Sequence, residues 1–252
     1  MQISTGVELF NEVLIPRETE DEDYEGSTLL PPYSTSKWME DEWVTECKGE
    51  SDPLELHAAS MLLQRSWDDV LIPVFDYMNH RNGKWLNTDS NSVHGPEPIS
   101  VFAIRKIETG EQIYTTYNTC HDCGNRALDY GTPELLRDYG FVEQYPQRWI
   151  FHNEELGFVV DEVLDEEGVS NGDIEVTDWI LEDPDETDVD FLLFLLEEQF
   201  RVPDDLLAER SEDVPQSEWD KIVAYQKAVV RAAEAGLVAM RKLGLQKGSS
   251  EL

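Results

Sequence analysis

The sequence predicts an α+β protein, a β-rich part followed by a helical C-terminal region, and three observations carry that expectation. Short apolar runs bounded by Gly, Pro and Asn recur between residues 70 and 160. One long stretch, Ser217 to Leu243, carries apolar residues at helical spacing. A content of 40% hydrophobic and 10% aromatic residues is too apolar for a chain that stays unfolded, and 252 residues suffice for a core without disulfides.

Residues 1–53 form an uneven N-terminal segment: an apolar stretch Val7 to Ile15, an acidic run Glu18 to Glu25, Pro31-Pro32, then Trp38 and Trp43. Leu54, Ala58, Met61 and Leu62 recur at helical spacing, with Asp52 placed as a cap and Pro53 at the first helical position, so a helix is expected from Leu54 to Trp67. Val70 to Phe75 is a short apolar run broken by Pro73, and a Gly- and Asn-rich loop follows His80 as far as Pro98. Ile99–Ile104 and Gln112–Tyr117 read as strands joined through Glu108-Thr109-Gly110-Glu111, a turn signal. Pro133 opens a helical turn that Tyr139-Gly140-Phe141 ends, and Trp149–Phe151 and Gly157–Val160 read as further strands.

The composition then shifts. Between Arg148 and Arg201 there are eighteen Asp or Glu and no Lys or Arg, and residues 161–190 show no strong periodicity, so they are expected to form a solvated acidic linker. A helical region over 191–245 completes the chain: Phe191–Leu196 as a buried helix, Val202–Arg210 as a short one, and the long helix begun near Pro215 and Ser217 and stopped at Gly244.

Nineteen Lys and Arg against 54 Asp and Glu leave a net charge of −35. Nucleic-acid affinity rests mainly on cations that neutralise phosphates, so a generic phosphate-backbone binder is excluded and no direct nucleic-acid partner is expected. Attraction to a basic macromolecule is the simplest functional consequence, and solubility or a salty environment explains the charge equally well. No apolar run approaches a membrane span, and no basic start precedes an apolar stretch as in a secretory signal. Cys47, Cys120 and Cys123 are an odd number, which fits a reducing compartment. A soluble intracellular protein is expected, in the cytoplasm, with nucleus and plastid left open, as is the oligomeric state.

The segments with chemical content lie far apart. Gln64-Arg65-Ser66-Trp67 ends the first expected helix; Asp76-Tyr77-Met78-Asn79-His80 follows a strand-like run; Gly110-Glu111-Gln112-Ile113-Tyr114-Thr115-Thr116-Tyr117 includes a strand; and Leu135-Leu136-Arg137-Asp138-Tyr139-Gly140-Phe141 ends a helical turn. In this order they resemble SET-domain methyltransferases, in the branch of the Rubisco large-subunit methyltransferase: "S-R-x-F", "D-x-x-N-H", "G-E-E-(I/V)-x-x-x-Y" and "L-L-x-x-Y-G-F". The resemblance spans about residues 54–160 and implies a SET-like domain there.

It also implies an S-adenosyl-L-methionine-dependent protein-lysine N-methyltransferase acting on a basic protein, with histidine open as the acceptor residue. By the same resemblance Asn79 and His80 hold the cofactor, Arg65 pairs its carboxylate, Phe141 stacks on adenine, Tyr117 is the catalytic tyrosine and Tyr139 walls the substrate channel. Each has a plainer reading. Asn79-His80 could be a turn, Arg65 could offset the helix dipole, Phe141 could be core, and one of Tyr114 and Tyr117, on opposite faces of a strand, should be buried by alternation alone.

No Gly-x-Gly occurs among the fifteen glycines, so the family's N-terminal glycine segment has no counterpart. A non-catalytic, SET-like acidic module that binds basic proteins is therefore the alternative. Cys120-His121-Asp122-Cys123 supplies half of a zinc site, and no metal is expected.

Overall fold

The computed structural model describes residues 39–50, 52–67, 70–91, 98–118, 130–151, 156–199 and 216–245. The expectations for Val7–Ile15, Glu18–Glu25, Cys120–Cys123 and Val202–Arg210 concern residues outside these. The chain is mixed α and β, with several small sheets.

A π-helical turn, Met39–Glu46, precedes helix α1, Pro53–Arg65. Asp52 caps α1 as expected: its Oδ1 accepts the N–H groups of Leu54 at 2.9 Å and Glu55 at 3.3 Å. Strand β1 (Ser66–Trp67) pairs antiparallel with β2 (Val70–Leu71). Strand β3 (Asn79–His80) runs parallel to β6 (Tyr114–Thr115), and β4 (Thr88–Ser90) antiparallel to β5 (Val101–Ala103).

Two expectations change here. The Gly- and Asn-rich loop holds a 3₁₀ turn, Gly83–Trp85, and strand β4. The strands flanking Thr109-Gly110 do not pair with each other, since β5 joins β4 and β6 joins β3.

Side chains explain the arrangement. Asn87 is fully buried; its Nδ2 donates to the Gln112 carbonyl at 2.8 Å and its Oδ1 accepts the Tyr114 N–H at 2.8 Å, the two bonds a neighbouring strand would otherwise make. Arg105 donates to the carbonyls of Trp85 and Leu86, each at 3.2 Å, and pairs with Glu111 at 2.5 Å. Between residues 70 and 118 every described side chain that is buried is polar: His80, Asn87, Thr88, Thr115 and Asn118.

The apolar core lies further along. Strands β7 (Gln147–Phe151), β8 (Leu156–Leu164) and β9 (Ser170–Trp179) form an antiparallel sheet in that order. Helices α3 (Glu186–Phe194) and α4 (Gln216–Lys242) pack on it, burying Trp149, Phe158, Leu192, Leu195, Tyr225 and Met240 in one cluster. Helix α2 (Thr132–Tyr139) lies against β7. Gly236 lets α4 approach: a Cβ there would come within 2.8 Å of Leu192 Cδ1 and 3.3 Å of Phe158 Cζ.

The expected acidic linker over 161–190 is instead the far half of β8, all of β9 and the start of α3. The register explains why no period showed. Val159 faces Asp178 and Val160 faces Val176, so Thr177 is an extra residue in a β-bulge. The bulge lets Val176 and Trp179 both pack against the core, although three positions apart. Helix α3 also begins before its apolar run, because Asp185 caps it by accepting from the N–H of Thr187 at 2.7 Å and of Asp188 at 3.3 Å. Among the described residues no helix is long and apolar enough to cross a membrane.

Candidate functional site

The parallel pairing of β3 with β6 sets Asn79 beside Tyr114 and His80 beside Thr115. Just beyond β6 the chain turns, so that the Tyr117 N–H donates to His80 Nδ1 at 2.9 Å and the Tyr117 hydroxyl donates to the Met78 carbonyl at 2.7 Å. Helix α2 then delivers two more rings. Gly140 ends it with φ +71°, a left-handed conformation that favours glycine, and its N–H bonds to the Leu136 carbonyl at 3.0 Å. The reversal brings Tyr139 to 4.7 Å from Tyr117 and Phe141 to 6.0 Å from His80, between ring centroids.

Arg65, the last residue of α1, closes this side. Its guanidinium donates to the Asp76 carbonyl at 3.1 Å and lies 3.6 Å from the Asp76 carboxylate. Both charges reach Tyr117. Burial pushes its phenol up from the ordinary value, Arg65 pulls it down and Asp76 pushes it up, with a net rise. The hydroxyl therefore keeps its proton and acts as a donor.

The structure thus gathers Arg65, His80, Tyr117, Tyr139 and Phe141 from four distant segments. Asn79 is exposed, on the other side of β3 from the buried His80, as strand alternation requires. Strand β6 ends at Thr115, so alternation does not decide between Tyr114 and Tyr117; both are half-buried, and the Tyr114 hydroxyl meets Gln112 Oε1 at 3.1 Å.

Sequence reasoning missed Glu143. Its carboxylate is closed to solvent and meets His80 Nε2 at 2.6 Å, Asn82 Nδ2 at 2.6 Å, Thr132 Oγ1 at 2.7 Å and the Arg148 N–H at 2.9 Å. Arg148 supplies cationic compensation nearby: burial lowers its pKa, and the charges of Glu143 and Glu134 oppose that. The one signal in the sequence is an acid directly after Phe141-Val142, and in a chain with 54 acids that does not stand out.

Several groups here suit a ligand with a carboxylate, a purine and a cationic centre. Arg65 presents an exposed guanidinium, and Tyr117, Tyr139 and Phe141 aromatic faces, while the Asn79 amide is exposed on the opposite side of β3. Among the described residues no group of three or more His, Cys, Asp or Glu could hold a metal ion, and Cys47 is an exposed free thiol. No family model, no curated protein and no solved structure matches the chain.

Proposed function

We propose that the chain is a SET-type, S-adenosyl-L-methionine-dependent protein-lysine N-methyltransferase acting on a basic protein. The observation that carries this reading is the convergence of four sequence-distant motif segments on one aromatic cluster, tied by the bond from the Tyr117 N–H to His80 Nδ1 at 2.9 Å. S-adenosylmethionine, when bound, supplies a methyl already activated on a sulfonium, so the protein's task is alignment and exclusion of water.

Arg65 would pair the cofactor carboxylate, Asn79 would hold its amino-acid end through an exposed amide, Phe141 would stack on the purine, and His80, whose two ring nitrogens are taken by the Tyr117 N–H and Glu143, would act through its backbone. Tyr117, held protonated, orients the incoming lysine nitrogen through its hydroxyl. Tyr139 lines the approach, where its face favours an ammonium and desolvation favours the neutral, reactive amine.

The test is calorimetry of S-adenosylmethionine with the full chain, joined to methyl transfer onto a lysine-rich peptide array. Tyr117→Phe is expected to keep cofactor affinity and lose turnover by about 100-fold or more, in the range of a lost positioned hydroxyl. Undiminished turnover removes Tyr117 from the site. A second reading, a non-catalytic acidic module for basic proteins, draws on the solvent side of β8–β9, where Asp173, Glu175 and Asp178 are exposed. It predicts no cofactor binding and salt-sensitive association with basic peptides.

A further inference from the structure

We propose that Glu143 is a positioning residue: it holds His80 as the Nε2–H tautomer and, through that ring, fixes the backbone that carries Tyr117. The proposal rests on the methyltransferase reading for its catalytic consequence and adds a residue to that site. A backbone N–H can only donate, so His80 Nδ1, 2.9 Å from the Tyr117 N–H, presents its lone pair. The ring proton then sits on Nε2 and is donated to Glu143 Oε1 at 2.6 Å.

The rest of the network enforces this direction. Asn82 Nδ2 donates to Glu143 Oε1 at 2.6 Å, while its Oδ1 accepts from the Thr116 hydroxyl at 2.9 Å. The Arg148 N–H, at 2.9 Å, is likewise a donor, and the Thr132 hydroxyl, at 2.7 Å, completes the set. Glu143 is surrounded by donors, and only an acceptor-only carboxylate satisfies all of them.

The opposite tautomer would set the Nδ1–H of His80 against the Tyr117 N–H and leave two buried donors facing each other. The segment that ends in Tyr117 would lose its tie, and the hydroxyl held on the Met78 carbonyl would move with it. Glu143 joins β3, the start of α2 and the start of β7, so it also ties this geometry to the apolar core.

Nitrogen-15 NMR of His80 in the full wild-type chain tests the first half without any variant. A pyrrole-like Nε2 and a pyridine-like Nδ1 are expected; the reverse pattern or a doubly protonated ring overturns the proposal, and this holds even if Glu143→Gln fails to fold. In Glu143→Gln the single-tautomer signature should be lost, S-adenosylhomocysteine affinity kept, and turnover on the peptide array lowered about 100-fold, as for a reactive group misplaced by about 1 Å. In a His80→Asn background the same substitution should cost nothing further, whereas additive losses overturn action through His80. If the wild type binds no S-adenosylhomocysteine, the methyltransferase reading fails, while the tautomer still decides the coupling of Glu143 to His80.

Discussion

Glu111 shows how a single carboxylate holds a turn in a region with few backbone ladders. The hydrogen bond from the Arg105 guanidinium, then the Glu108 N–H, then Asn87 hold its carboxyl well below the ordinary 4.5, at about 2. The folded chain therefore binds a proton here less readily than the unfolded chain. The stability from this group is fully present above about pH 4.5 and is lost as pH falls towards about 2. Urea midpoints measured across that window should decline with falling pH, and Glu111→Gln should flatten part of the decline; an unchanged slope would rule the clasp out as a source of stability. At this scale the gathering of Arg65, His80, Tyr117, Tyr139 and Phe141 was foreseeable, because each belongs to a segment that was singled out by resemblance. Glu143 and Asn87 were not, since their meaning depends on partners brought near only by folding.

The β8–β9 pair carries a cost in its register: Asp161 lies directly opposite Glu175, on the face turned away from the core. Like charges at facing positions destabilise a sheet, so Glu175→Lys should raise stability by about 0.2–1 kcal/mol in urea or thermal unfolding, and a fall would exclude repulsion as the dominant effect. The same pair marks the boundary of sequence reasoning about elements. Helices α1 and α4 were readable because apolar positions recur over whole turns and the caps are local. Strand β9 was not, because the bulge at Thr177 breaks the two-residue alternation between Val176 and Trp179. Strand β4, Thr-Asp-Ser, carries no apolar signal, and its place comes from β5 and from the bond of Thr88 Oγ1 to the Tyr114 carbonyl at 2.7 Å.

Across the whole molecule the apolar core and the candidate site occupy different parts of the chain. Strands β7 and β8 with α3 and α4 bury the aromatic and aliphatic cluster, while the described residues from 70 to 118 bury polar side chains and leave Val101, Phe102, Ile104 and Ile113 exposed. Local stability follows buried apolar contacts. Native-state hydrogen exchange should therefore find the slowest amides in β7, β8 and α4, with those of β3 and β6 opening earlier; equal protection of β3 and β6 with the core strands would contradict this distribution. The buried amide of Asn87 has a further consequence, which concerns chain length. It grips the carbonyl of Gln112 and the N–H of Tyr114, groups on one edge of a strand whose other edge meets β3. A slip by a single residue would turn those groups to the wrong edge. Insertions and deletions must then be absorbed in the turn ahead of Gln112, and the distance along the chain from that grip to Tyr117 cannot change.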